Sequence, residues 1–468
     1  MNCKEVKDCL NNTFLNLETD SKLEFFKLFD NGTCTEINKF VTDKNEQCGT
    51  FTAFGYISGC PVYAYYQDIS LNSGAIGLKA IKKIENVYKK AAENGMPVVA
   101  VFNSNGMFFN EGMETLNAFG KIISLSNSIS GVVPQIAIIN GSCIGTAAIL
   151  ASLADIKIMI KGGEFYLTSP EIIKKADNNS TDLKIGSSEF CYLNGLVDFE
   201  AKDYAEAVEI TKNVFCYLPQ NNLSVVYPDL DFTESDIKDN SDVSAVIKSI
   251  ADSNSFMELN AKYADDLITG FARIGGFTVG IIANNSNDKY LTAKAAKKAT
   301  GFIRFLDAFS IPVVTLLDLK GFAPLFNTEI LGGEKVFAAL TQSYSEASTQ
   351  KITLINGYAI GSAFVSFASV ASAADYTLAL PCAKIGALEE TAAVELLYKE
   401  KLLKGENRED LEKEYLQNEC NAFKAAESAI VNDIITLEQA NKKLAEVLDM
   451  LSGKRVNTLN KKHTDMPL

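Results

Sequence analysis

Apolar residues in this chain follow two alternating rhythms. Short, nearly unbroken apolar runs occupy Thr50–Tyr56, Pro61–Tyr66, Val98–Phe102, Gln135–Ile138, Ile156–Ile160, Asp266–Ile274, Thr278–Asn284, Val313–Leu317, Lys351–Leu354 and Tyr376–Leu380. Runs of that length without polar alternation predict strands buried on both faces. Between them, apolar residues recur every three or four positions, which predicts helices. The helical stretches are Ser21–Phe29, Ala75–Ala92, Asp198–Tyr217, Val243–Ala251, Thr292–Ala308, Glu389–Lys404, Leu411–Ile430 and Leu437–Leu451. Strands alternating with helices throughout define an α/β fold.

The pattern is stated twice. Residues 139–147 read Ile-Asn-Gly-Ser-Cys-Ile-Gly-Thr-Ala, and residues 355–363 read Ile-Asn-Gly-Tyr-Ala-Ile-Gly-Ser-Ala. Each follows a strand-like run and leads into a small-residue stretch, Ala147–Ala154 or Ala363–Ala373. Met96-Pro-Val-Val99 precedes Gly106 as Ile311-Pro-Val-Val314 precedes Gly321, and Asp155 and Asp375 close the two blocks. Repeats this long imply a duplicated domain rather than a solenoid. The acidic, Asp- and Ser-rich stretch following Leu218-Pro-Gln-Asn-Asn-Leu223 reads as the connection, giving domains 1–222 and 223–468.

A strand that turns through glycine into a helix exposes backbone N–H groups at the positive helix end, a potential oxyanion site built without side chains. The plainer reading is a close turn in which Gly141 and Gly357 supply special dihedrals. Ligands in α/β folds gather at the carboxyl ends of strands, where both phrases and the Asp318–Phe322 loop fall.

Composition narrows the chemistry. The chain has 468 residues, 47% of them apolar, enough for two cores. A net charge of −14 argues against a general nucleic-acid binder. The most apolar window, Val132–Ala154, is broken by Pro134, Asn140 and Gly141, which fits a buried strand and helix and no membrane span. The polar start, Met1-Asn-Cys-Lys-Glu, shows no secretory signal, so a cytoplasmic protein with reduced thiols is expected. The ten cysteines form no C-x-x-C pair, and the single histidine is His463, five residues from the end. Histidine-dependent triads and histidine-rich metal sites therefore drop out, and no metal is expected. Lysines 79, 82, 83, 89 and 90 on the Ala75–Ala92 helix read as a solvated face, with a phosphate-contacting surface as the alternative.

With those residues in hand, the chain resembles the carboxyltransferase component of biotin-dependent acyl-CoA carboxylases, of the propionyl-CoA carboxylase β-subunit and sodium-pump decarboxylase α-subunit type. The motifs run nearly end to end. Leu28-Phe-Asp-Asn-Gly-Thr-Cys-Thr-Glu36 resembles the family's opening "LLD-x-G-S-F-x-E", and Asn103–Gly112 resembles "D-S-G-G-A-R-I-Q-E-G". Val133–Ala147 resembles "V-P-Q-I…G-P-C-A-G-G-A", Asp318–Glu329 resembles "D-x-P-G-F-L-P-G-x-x-Q-E", and Tyr358–Phe364 resembles "K-A-Y-G-G-A-Y". Lys461–Leu468 resembles the closing "K-K-H-G-N-I-P-L".

The resemblance implies two tandem crotonase/ClpP-like ββα-superhelix domains. It implies one oxyanion hole at Gly145 and Thr146 and a second at Ser362 and Ala363, with Gly106, Gly141, Asp318, Gly321, Phe322, Gly361 and Val365 as substrate-binding positions. The implied reaction moves carboxyl between carboxybiotin and a short acyl-CoA, one hole holding the thioester enolate and the other the ureido oxygen of biotin. Biotin would arrive on a separate biotin carboxyl carrier protein, charged by a biotin carboxylase subunit. The implied assembly is a homo- or hetero-hexamer, a trimer of dimers. Alternatives are a catalytically degenerate paralogue in a mixed ring and the transferase of a biotin-dependent decarboxylase. A hydratase-like enzyme using Glu111 and Glu329 is a third.

This chain departs from the family pattern at several places. Its paired glycines are Gly145-Thr146 and Gly361-Ser362, its arginine is Phe108, its Arg-Lys is Gly357-Tyr358, and its histidine is Cys191. Its Glu-Gly is Leu388-Glu389, and the glycine after Phe-Leu-Pro is Leu325. Thr146 and Ser362 are compatible with backbone donors provided their φ angles are negative.

Overall fold

The computed structural model describes residues 20–43, 46–176, 184–229, 231–330, 332–457, 461 and 465–467. His463, Cys3 and Cys9 lie outside the described residues. The chain divides into two compact units, Met1–Val225 and Val226–Leu468.

In the first unit, β1 (Thr35–Glu36), β2 (Thr50–Ile57), β3 (Cys60–Gln67), β4 (Val98–Ser104), β5 (Gln135–Ile144), β6 (Ile156–Ile160), β7 (Glu164–Tyr166) and β8 (Phe199–Ala201) form one sheet. Its order is β1-β2-β3-β4-β5-β6-β8, with β7 paired to the far end of β5. The first three strands are antiparallel and the rest parallel. Helices α1 (Leu78–Asn94), α2 (Met113–Ser128) and α3 (Thr146–Ser152) make the crossovers, and α4 (Tyr204–Phe215) follows β8.

The second unit repeats this order strand for strand. β9 (Met257–Leu259), β10 (Leu267–Ile274), β11 (Phe277–Asn284), β13 (Val313–Leu319), β15 (Lys351–Ile360), β16 (Tyr376–Ala379) and β18 (Asp433–Ile434) lie in that sequence across the sheet, and β17 (Lys384–Gly386) pairs the end of β15. A small separate pair, β12 (Tyr290–Leu291) and β14 (Gly321–Phe322), is parallel. Its helices include α5 (Val243–Ile250), α6 (Ala293–Ala308), α7 (Gly333–Glu346), α8 (Gly361–Ser366) and α9 (Leu437–Met450). Gln135–Ile139 and Lys351–Ile355 are buried at every position, which explains their unbroken apolar runs.

Each unit has its own core. In the first, Ile81, Ile84 and Val87 of α1 pack with Ala100 and Phe102 of β4 and Ala137 and Ile139 of β5. In the second, Val279 and Ile281 of β11, Val314 and Leu316 of β13 and Leu354 of β15 pack with Leu444 and Leu448 of α9. Burial of such side chains contributes roughly 1.5–3 kcal/mol each.

The lysines of α1 divide. Lys79, Lys82, Lys89 and Lys90 are exposed, and Lys89 and Lys90 pair with Glu85 and Glu93. Lys83 departs from the expected solvated face. It is 3% exposed and donates to the Thr50 carbonyl at 2.5 Å, so burial holds its pKa below the ordinary 10.5. The predicted helix 389–404 is two helices, Glu390–Leu397 and Lys399–Leu403, and 411–430 is likewise broken into Arg408–Asn418 and Ala422–Glu427.

Candidate active site

The Ile-Asn-Gly phrases are not the turns. Both lie inside strands β5 and β15, and the turns come four residues later. At each phrase the parallel ladder slips. Phe102 opposes Ile139 but Ser104 opposes Cys143, and Leu317 opposes Ile355 but Leu319 opposes Ala359. The residue skipped on the neighbouring strand fills the gap with its side chain. Asn103 Oδ1 accepts the backbone N–H of Ser142 at 3.1 Å, and Asp318 Oδ1 accepts that of Tyr358 at 2.7 Å. Those side chains stand where residues 141 and 357 would place a β-carbon. Glycine is required there by close approach. Gly141 also has φ +124°, whereas Gly357 is not in the positive-φ region, which corrects the expectation that both supply special dihedrals.

The strand-to-helix turns occur at Gly145, with φ +62°, and Gly361, with φ +56°. Only glycine enters this region without strain. Thr146 and Ser362 follow with ordinary negative φ, so their side chains are accommodated. At the starts of α3 and α8 the first N–H groups have no intrahelical acceptor. The Gly145 N–H is, however, donated to the Tyr166 carbonyl at 3.0 Å, extending the β5–β7 ladder. Counted from the positive-φ glycine, the N–H groups that follow it, on Thr146 and Ala147, correspond to those of Ser362 and Ala363, although α3 starts at Thr146 and α8 at Gly361 itself. Thr146 is half-buried, Ser362 is exposed, and Ala147 and Ala363 are buried.

Gly106 sits beside the first turn. Its φ is +93°, its N–H donates to Ser104 Oγ at 3.1 Å, and a β-carbon there would meet the Ile144 carbonyl at 3.1 Å. In the second unit, Gly321 and Phe322 form β14 and pack against α8, and the Phe322 ring stacks on Phe337 at 4.1 Å. Val365 on α8 is 55% exposed. In each unit, therefore, the predicted positions assemble around a single turn: Gly106, Gly141, Gly145 and Thr146 around the first, and Asp318, Gly321, Phe322, Gly361, Ser362, Ala363 and Val365 around the second.

Several other expectations resolve into structure. The Glu111 carboxylate accepts the Leu78 N–H at 2.6 Å and the Thr115 hydroxyl at 3.2 Å, so it caps the start of α1. Glu329 is exposed. Cys191 is buried, with its thiol pushed up to about 11 by burial, an inert group where the family carries histidine. Cys34, Cys48, Cys60, Cys143, Cys191, Cys216, Cys382 and Cys420 are free thiols.

Two features escaped the sequence. An apolar cavity of about 740 Å³ runs along the outer side of α3, lined by Ile149, Leu153, Phe165, Leu167, Ile172 and Phe190 among others. In the second unit, Lys289, Lys320 and Lys384 converge on the ring of Tyr358, their ammonium groups 4.9, 4.7 and 4.5 Å from its centre. Lys384 donates to the Tyr358 hydroxyl at 2.6 Å, and that hydroxyl donates to Glu390 Oε1 at 3.0 Å. Burial pulls the pKa of Lys384 down, but its bonds to Tyr358 and Glu390 outweigh this and leave it raised.

A duplicated α/β unit with a glycine turn at the end of its central strand is the crotonase-like tandem architecture. The Carboxyl transferase domain model matches residues 25–466, and the chain belongs to that family. It is 30% identical to the methylmalonyl-CoA decarboxylase subunit alpha of Propionigenium modestum, over 94% of this chain and 92% of that protein. It is also 30% identical to the propionyl-CoA carboxylase carboxyltransferase subunit of Haloferax mediterranei, over 96% of this chain and 92% of that protein. Among solved structures it superposes on a chain of the transcarboxylase 12S crystal structure, which is described as a hexamer assembly with methylmalonyl-coenzyme A and methylmalonic acid bound. The TM-score is 0.89 at 30% identity, covering 98% of this chain and 95% of that one. Among the described residues, no helix is long and apolar enough to cross a membrane.

Proposed function

We propose that this protein is an active carboxyltransferase that moves a carboxyl group between carboxybiotin and a short acyl-CoA. One observation carries the reading. Both units place a positive-φ glycine at the end of the central strand, so that the next two N–H groups lie in the first turn of a helix without intrahelical partners. Such preorganised donors stabilise an oxyanion as charge develops on it.

In this reading the turn at Gly145 and Thr146 holds the thioester oxygen of the acyl-CoA enolate. Because the Gly145 N–H is engaged by Tyr166, Thr146 and Ala147 supply the donors. The turn at Ser362 and Ala363 holds the ureido oxygen of biotin. The residues are compatible with that group, because Gly361 presents no side chain at the turn and the backbone of the exposed Ser362 follows it. Biotin on its carrier protein, when bound, supplies both the carboxyl group and the base for the acyl α-proton. Gly106 and Gly141 in the first unit, and Gly321, Phe322 and Val365 in the second, shape the approach to the two turns, with Asp318 fixing the strand behind the second. A carrier protein and a biotin carboxylase subunit are the expected partners, in a hexamer in the cytoplasm.

The first test is calorimetric binding of acetyl-CoA and propionyl-CoA, with the assembly state measured in parallel and carboxyl exchange with free biotin as the activity readout. Micromolar binding with exchange is expected. Absence of both from a well-folded protein overturns the proposal and leaves a second reading, a structural subunit of a mixed ring. That reading draws on the occupied Gly145 N–H and on Gly357-Tyr358, which stand where the family pattern has Arg-Lys.

A further inference from the structure

The lysine-caged tyrosine of the second unit borders a cavity of about 610 Å³. The cavity adjoins the second site, since Gly321 packs on its Tyr290 wall, but its lining does not include Gly361, Ser362 or Ala363, so the oxyanion turn itself does not account for it. Lys289 and Lys320 face this cavity together with Tyr358, and Ala323, Pro324 and Leu325 form an apolar wall. We propose that this cavity is a binding site for an aliphatic carboxylate, its head group held by Lys289 and Lys320 and its alkyl body lying against Ala323, Pro324 and Leu325.

The two lysines are brought together by backbone pairing. β12 and β14 are parallel neighbours, and the Lys320 N–H donates to the Lys289 carbonyl at 2.7 Å. Their ammonium groups lie over the same aromatic ring, which attracts cations by its quadrupole. The ring itself cannot swing away freely, because its hydroxyl is bonded to both Lys384 and Glu390.

Hydrogen-bond capacity is available. An ammonium has three donors. Lys289 spends one on Asp318 Oδ2 at 2.8 Å. Lys320 lies 3.6 Å from Glu389 Oε2, beyond hydrogen-bond range, and its ammonium has no closer partner among the described residues.

Charge selects the head group. Asp318, Glu389 and Glu390 balance the three lysines and Asp288 also lines the cavity, so these seven side chains carry a net charge of −1. A monoanion seated directly against the two ammonium groups is repelled less by that surplus than a phosphate dianion, which would meet the carboxylates behind them. The apolar wall then favours a carboxylate with an alkyl body over a bare anion.

The test is calorimetric titration of the full chain with acetate, butyrate, hexanoate and inorganic phosphate at low ionic strength. Saturable hexanoate binding is expected, with affinity rising about two- to fourfold per methylene from acetate. Lys320→Met should weaken hexanoate at least tenfold, while Lys161→Met, an exposed lysine of the first unit, should leave it unchanged. Leu325 is 52% exposed, so Leu325→Asn should fold normally and flatten the chain-length dependence without changing acetate. The proposal is overturned by hexanoate binding that is absent or unaffected by both the Lys320 and the Leu325 substitutions. Phosphate binding tighter than hexanoate would overturn it as well.

Discussion

The carboxylate of Asp318 stands in the space where a β-carbon on Gly357 would project, and its Oδ1 accepts the N–H of the next residue, Tyr358, at 2.7 Å. Asn103 bears the same relation to Gly141, with Ser142 as donor at 3.1 Å. In both units a polar side chain from the neighbouring strand takes over the ladder bond where the central strand bulges. This sets the direction in which that strand runs on to its turn.

Substituting Gly357 with alanine should therefore cost stability, because the new methyl group meets the Asp318 carboxylate. A loss of about 1–3 kcal/mol is expected by analogy with overpacked cores. Denaturant unfolding of Gly357→Ala, Asp318→Ala and the double variant checks this. The double variant should be less destabilised than the sum of the two, since residues in contact are not additive. Additive losses would mean that the two positions do not meet.

A backbone donor is removed cleanly only by proline. Ser362 is the second residue of α8, still within the first turn, where the N–H has no helical acceptor for proline to remove. Ser362→Pro should retain the fold by circular dichroism and lower kcat by about 10²–10³, the usual cost of an oxyanion donor. Ser362→Ala, which keeps the N–H, should remain near wild type. Equal losses in both variants would assign the effect to the hydroxyl.

Lys298 gives a stability signature with a definite sign. It is 7% exposed, with its ammonium within hydrogen-bond range of four carbonyls, the nearest being Leu267 at 2.6 Å, Tyr263 at 2.9 Å and Asn260 at 3.0 Å, with Ala264 at 3.4 Å. Burial lowers its pKa from 10.5 to about 8. Between those values the unfolded chain binds the proton and the folded chain does not, so this contribution to stability grows as pH rises through that window and is lost as pH falls. The unfolding free energy of the wild type relative to Lys298→Met should rise from pH 8 to pH 10. A flat difference would mean that Lys298 stays charged when folded.

Much of this was legible from the chain alone, for identifiable reasons. Strands buried on both faces must be apolar throughout, so β4, β5, β13 and β15 announced themselves. The duplication was readable because both copies keep the same local requirements, a glycine under a neighbouring side chain and a second glycine with positive φ. Which glycine does which was not readable. The Ile-Asn-Gly phrase looked like the turn because both roles select glycine. Only the ladder register separates the close approach at Gly141 and Gly357 from the dihedral need at Gly145 and Gly361.

The sequence by itself determined the α/β class, the two repeated units and the positions clustered at each turn, because these rest on local periodicity and on residues near one another in the chain. The tertiary structure alone decided which N–H groups remain open, since Tyr166 reaches Gly145 only through the pairing of β7 with β5. It also decided that Glu111 is a helix cap and Lys83 a buried donor, and that Lys289, Lys320 and Lys384 meet on one ring. Those facts depend on partners far apart in sequence, and nothing in local composition specifies which distant groups the packed sheets bring within bonding range.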